Sequence, residues 1–152
     1  MENKISVWIF ILLLVFSVFA FADGEKKMQM KNLPPAVQAT VKEQSKGATI
    51  RGMAKETEKG KTVYELELKV DGHNKDMMID AFGKIISIEE QVELKDLSAA
   101  VQAAITRQTG KGKIVIIESL TENGALTGYE ATIKTGGKSR EIKISPDGKL
   151  MK

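Results

Sequence analysis

Two stretches of this chain are near copies of one another. Leu33-Pro-Pro-Ala-Val-Gln-Ala-Thr-Val41 returns as Leu97-Ser-Ala-Ala-Val-Gln-Ala-Ala-Ile105, a shift of 64 positions. Tyr64-Glu-Leu-Glu-Leu68 returns as Tyr129-Glu-Ala-Thr-Ile133, and Lys75-Asp-Met-Met-Ile79 as Arg140-Glu-Ile-Lys-Ile144, both at a shift of 65. The turn Gly83-Lys84 matches Gly148-Lys149 at the same shift. One supersecondary unit is therefore written twice, with a single residue inserted between its helix and its second strand. Such a pattern constrains the architecture before any element is assigned.

Ahead of the repeats, residues 5–22 carry no charge, Lys4 precedes them, and Ala20-Phe21-Ala22 closes them. This is the layout of a secretory signal cleaved after Ala22. The competing reading is an uncleaved anchor, since the run nearly reaches the ~20 residues that span a bilayer. A small-x-small site favours cleavage, and no stable membrane insertion is expected afterwards. The exported chain would then comprise residues 23–152. It has no cysteine, so its core must hold without disulfides. The net charge is +3, with lysines and carboxylates interspersed, and beyond the signal only Tyr64, Phe82 and Tyr129 are aromatic. Mixed charge without a basic block argues against nucleic acid as a partner.

The expected layout is a signal at 1–22, a flexible leader at 23–32, one unit at 33–92 and a second at 93–152. Pro34 and Pro35 open a helix in the first unit. Val37, Thr40, Val41 and Gln44 then share one face at helical spacing. In the second unit Asp96 or Ser98 can cap, and Leu97, Val101, Ala104, Ile105 and Gln108 line the matching face. Gly47 and Gly110 end the helices. Strands follow at 48–57, 62–70, 74–80 and 85–90, and again at 113–121, 126–135, 139–145 and a short closing 149–151. Their turns include Asp71-Gly72, Gly136-Gly137 and Pro146-Asp-Gly148. The fold class is α+β, with two tandem α-β-β-β-β units. Its antiparallel sheet has helices on one face and an open opposite face.

Alternation assigns the faces. Tyr64, Leu66, Leu68 and Val70 point toward the helix with Met77 and Ile79, leaving Glu65, Glu67, Lys69, Asp76, Met78 and Asp80 on the open side. In the second unit Glu130, Thr132, Lys134, Glu141 and Lys143 face outward. The partner-binding candidates are Glu65, Glu67, Lys69, Met78, Glu130, Thr132, Lys134, Glu141 and Lys143. Strand 113–121 is apolar on both faces at Ile114, Val115, Ile116 and Ile117. Such a strand either packs between the units or exposes a binding spot.

Placed this way, the chain resembles the PepSY-like family, which has the fold of the β-lactamase-inhibitor protein. The residues that carry the resemblance are Leu33-Pro-Pro-Ala-Val37, Gly60-Lys-Thr-Val-Tyr64-Glu65 and Ile79-Asp-Ala-Phe-Gly83-Lys84, with their second copies. It implies an exported envelope protein whose tandem units present one concave sheet to a partner. It carries over no inhibitory loop and no contact residue.

The chemistry of catalysis is missing. His73 is the sole histidine and sits beside a hairpin turn, no Gly-x-Ser-x-Gly elbow accompanies it, and there is no cysteine nucleophile. Phosphate-loop, dinucleotide and His-Glu-x-x-His patterns are absent. Gly110-Lys-Gly112-Lys113 joins helix to strand, the wrong order for a phosphate cradle. No enzyme and no cofactor are expected. The function expected is binding of an envelope protein or peptide by the open sheet face, and inhibition of an exported hydrolase is one form this could take. The alternative is calcium held by Glu65, Glu67, Asp76 and Asp80, since hard cations take several carboxylate oxygens. Against it stand Lys69, Lys75 and Lys84, close enough in sequence to neutralise those acids.

Overall fold

In the computed structural model the described residues are 26–58 and 60–151. The signal segment at 1–22 lies outside them. Strands β1 (Lys26–Lys27), β2 (Thr49–Glu58), β3 (Lys61–Val70), β4 (His73–Asp80), β5 (Ile85–Gln91), β6 (Lys113–Glu122), β7 (Ala125–Thr135) and β8 (Lys138–Ile144) form one antiparallel sheet in sequence order. Helix α1 (Pro35–Gln44) precedes β2, and α2 (Ala99–Thr109) lies between β5 and β6. The described residues thus form an α+β fold with one open eight-stranded sheet and two α-helices.

Each helix forms where the sequence supplies a start and an apolar stripe. Pro35 occupies the first turn of α1, where no N–H partner is needed. Ser98 caps α2, its hydroxyl accepting from the Val101 N–H at 3.4 Å. Val37 and Val41 of α1 pack with Leu33 against Tyr64, Leu66, Leu68, Met77 and Ile79. Leu97, Val101, Ala104 and Ile105 pack against Ile117, Ala131, Ile133, Ile142 and Ile144. Register shows that both helices lie on the same side. Leu68, Lys75, Glu90, Ser119, Tyr129 and Ile144 are successive cross-strand partners, and the row runs from the α1 core to the α2 core.

Glycine fixes how closely each helix docks. At Gly83 (φ 85°) a Cβ would lie 2.7 Å from the Ala36 carbonyl oxygen; at Gly148 (φ 83°) it would lie 2.8 Å from that of Ala100. Thr40 Oγ1 also donates to the Gly83 carbonyl at 2.6 Å. The turn after β4 and the turn after β8 therefore meet their helices in the same way, through a residue that can have no side chain.

Three features differ from the sequence expectation. The leader is not wholly loose: Lys26 and Lys27 pair with β2, the Met28 N–H donates to the Met53 carbonyl, and Met28 and Met30 pack on the α1 core. The apolar side chains of an otherwise polar leader are what dock it. The second half lacks a full fourth strand. At 149–151 there is only an isolated bridge between Ile144 and Leu150, so the halves contribute unequal strand sets. Finally, the two-sided apolar run of β6 is resolved by a β-bulge. The register jumps between Ile114 and Ile116, which leaves Val115 unpaired and 59% exposed and turns both Ile114 and Ile117 toward the α2 core. A bulge at Arg51 in β2 sits 64 residues earlier.

Candidate functional site

Among the described residues no element covers the sheet face opposite the helices, and six adjacent strands, β3 to β8, put carboxylates there. Across the middle, Glu67 on β3 is opposite Asp76 on β4, and Asp76 is opposite Glu89 on β5. One row further along, Gln91 on β5 is opposite Glu118 on β6, Glu118 is opposite Glu130 on β7, and Glu130 is opposite Lys143 on β8. Glu141 follows, paired with Thr132. Opposed side chains have Cβ atoms ~5 Å apart, and like charges in that position destabilise a sheet. Three such pairs lie in this patch: Glu67 with Asp76, Asp76 with Glu89, and Glu118 with Glu130.

Burial sharpens the conflict. Glu118 is only 8% exposed as a whole residue, yet among the described residues no buried side-chain oxygen or nitrogen lacks a hydrogen-bond partner. Its strongest electrostatic neighbours are Asp76, Glu130 and Glu141, all acidic. Burial, then these neighbours, push its pKa up to about 7. Glu89 is raised to about 7 by burial and then by Glu118, Glu130 and Asp76, against the pull of Lys143. Asp76 is raised to about 6 by burial and by Glu67, with Arg51 opposing. Glu141 is raised by burial and by Glu130, again opposed by Lys143. Cations share this face: Lys143 Nζ lies 2.9 Å from Glu130 Oε2, Lys69 and Lys134 flank the acids on β3 and β7, and Arg51 sits at the exposed β2 bulge.

The other candidates scatter around this patch. Glu65 and Met78 are opposite one another and buried, so Met78 is not the exposed residue that alternation implied. The Glu67 carboxylate lies over Gly52, where a Cβ would come within 2.8 Å of Oε2. Lys69 donates to Asn74 Oδ1 at 3.0 Å, while Thr132 is half-buried and Lys134 exposed. Asp80 is engaged in its own turn, accepting from the Phe82 and Lys84 N–H groups at 2.9 Å each. It caps a hairpin and does not join the acidic row. Lys75 lies in the helix-side row, 3.3 Å from Glu90, so it neutralises nothing on the open face. Lys84 reaches Asn123 instead. Among the described residues no group of three or more His, Cys, Asp or Glu side chains is placed to hold a metal ion. His73 Nε2 is 4.0 Å from Glu93.

Sequence reasoning missed Glu89 and Glu118. Glu89 was legible, because alternation from Ile88 puts it outward. Glu118 was hidden, because the bulge at Val115 breaks the alternation that leads to it. The acidity is also not confined to the first half, since Glu118, Glu130 and Glu141 lie beyond the β5–β6 seam.

Solved structures share this architecture. A DUF2874 family protein from Bacteroides ovatus is 18% identical, with a TM-score of 0.62 over 79% of this chain and 85% of that one. A BLIP-like protein from Bacteroides fragilis is 23% identical, with a TM-score of 0.59 over 79% and 84%. The fold is BLIP-like. A candidate periplasmic protein from Bacteroides eggerthii reaches a TM-score of 0.65 at 15% identity, over 79% and 86%. No protein-family model and no curated protein matches the chain. No helix among the described residues is long and apolar enough to cross a membrane.

Proposed function

We propose that this is an exported, non-enzymatic protein of the cell envelope that binds a protein or peptide partner on the open sheet face. The observation that carries the reading is the uncovered acidic row, in which like charges are opposed and half-buried at a cost to the fold. Stability alone would favour neutral residues there. The reading also extends the internal sequence repeat to two copies of one PepSY-like unit, sharing a sheet through β5 and β6. The periplasm suits it, in keeping with the candidate periplasmic neighbour and the signal-like N-terminus. Binding would rest on shape, charge and a few buried anchors, with no bond made or broken. Inhibition of an exported hydrolase is one outcome such binding could have.

The test is capture of envelope proteins from the host extract by immobilised protein expressed from the full chain, with identification by mass spectrometry. A partner retained by the wild type and lost on charge reversal at Glu130, Lys134 and Lys143, with the fold intact, supports the reading. A partner retained equally by that variant counts against this face.

A further inference from the structure

We infer that the outer edge of β8 is a docking slot for an acidic, extended segment of a partner polypeptide, which adds to the sheet as a further antiparallel strand. The slot lies at the end of the sheet, apart from the open face, and does not rest on the reading above. Its first ground is main-chain hydrogen bonding. The Met151 N–H donates to the Lys143 carbonyl and the Ser145 N–H to the Lys149 carbonyl, each at 2.8 Å, so Lys143 and Ser145 turn these groups away from β7. Main-chain direction alternates along an antiparallel strand, which turns Ser139 and Glu141 the same way. Beyond the bridge between Ile144 and Leu150, no described residue pairs with that edge. The opposite edge of the sheet differs, because β1 and the Met28 N–H already meet β2 there.

The second ground is that β4, which β8 repeats in sequence, shows what fills such an edge. The Asp80 N–H donates to the Lys84 carbonyl at 2.9 Å, as Ser145 does to Lys149, and β5 then runs back along β4. Lys75 lies opposite Glu90, 3.3 Å from its carboxylate, and Met77 lies opposite Ile88. Shifted by 65, Lys75 and Met77 become Arg140 and Ile142. An added strand therefore needs an acid opposite Arg140 and an apolar residue opposite Ile142. That apolar side chain would also cover Leu150, 53% exposed, as Ile88 joins Ile85 on the α1 core.

Charge selects the occupant. Lys138 and Arg140 stand exposed on the helix side of β8, and Arg140 is held there by donating to the Gln108 carbonyl at the end of α2. Neither stands in an ion pair among the described residues. A second copy of the chain does not fit. Pairing β8 with itself about any centre from Ser139 to Glu141 opposes Lys138 with Arg140, Arg140 with Arg140, or Glu141 with Glu141, and like charges so placed destabilise a sheet. A centre at Ile142 would collide with Leu150. An acidic strand meets none of these obstacles, and its main-chain bonds supply affinity while its alternate side chains supply specificity.

The probe is a peptide copying residues 87–93 with Glu89→Lys and Val92→Glu, which set opposite charges against Glu141 and Lys138. It is titrated by calorimetry into protein expressed from the full chain, and amide hydrogen exchange is followed in parallel. Binding should slow exchange at Ser139 and Glu141 and leave β2 unchanged. Charge reversal at Lys138 and Arg140 together should weaken binding about tenfold. Ser139→Pro removes an edge N–H that β7 does not use, and should abolish binding with the melting temperature little changed. If Ser139→Pro does lower the melting temperature, the charge-reversed variant decides by itself. Glu118→Gln on the open face should leave the affinity as it is. No binding by wild type would overturn the inference, as would undiminished binding by either β8 variant, protection that appears away from β8, or equal affinity for a peptide with its acids replaced by lysine.

Discussion

Glu118 and Glu130 sit opposite one another, and among the described residues Lys143 pairs with Glu130 alone. That asymmetry makes the two side chains behave differently when altered. Replacing Glu118 or Glu89 by glutamine removes a buried like-charge contact and keeps the shape. Each change is expected to stabilise the protein by about 1 kcal/mol near neutral pH, raising Tm by roughly 4 °C. A melting curve that falls instead would mean an undetected donor already serves that carboxylate. Lys143→Met should act in the opposite sense. It strands Glu130, which is 9% exposed, and is expected to cost about 2 kcal/mol in urea unfolding. Adding Glu130→Gln should recover most of that loss, since the uncompensated charge is gone.

Two turn glycines carry the helix docking, and the same physics applies to both. Gly83→Ala and Gly148→Ala each place a methyl group against a helix carbonyl and force an alanine into positive φ. Each is expected to cost about 2 kcal/mol or more, read from the midpoint of chemical unfolding. A neutral outcome at either position would show that the helix can move off the sheet. These elements were largely legible in the sequence, because hairpin turns and alternation are local signals. Most strand limits agree within a residue or two, and Tyr64 and Tyr129 lie on the helix side as alternation requires. What was not legible depends on departures from period two. Val115 occupies a bulge that ordinary β-branched residues do not announce. The segment 149–151 is too short to pair along its length. The leader docks through Met28 and Met30, whose scattered spacing gives no periodic signal.

At the scale of the whole molecule, the sheet separates two environments, an apolar face under the helices and an acidic face that no other described residue covers. The acidic face ties stability to pH. Asp76, Glu89 and Glu118 all have folded pKa values above their unfolded ones, so the native state holds more protons between about pH 4 and pH 7. Stability from these groups is fully present at the acid end of that window and is lost as pH rises through it. Going from about pH 8 to about pH 5.5 should raise stability by about 2 kcal/mol, less than three independent shifts because the groups titrate together. Thermal melts across that range check the slope, and the E89Q/E118Q double variant should flatten it. Acidic side chains stand on both sides of the β5–β6 seam, Glu89 opposite Leu120 and Glu118 opposite Gln91, so the face exists only when both halves are joined in one sheet. The most direct test of its role is site-specific photo-cross-linking in the host envelope. One probe replaces Thr132 on the open face and another replaces Lys42 on the exposed side of α1. A discrete adduct from position 132 and none from position 42 is the expected result; an adduct from position 42 alone would contradict the binding role of the sheet.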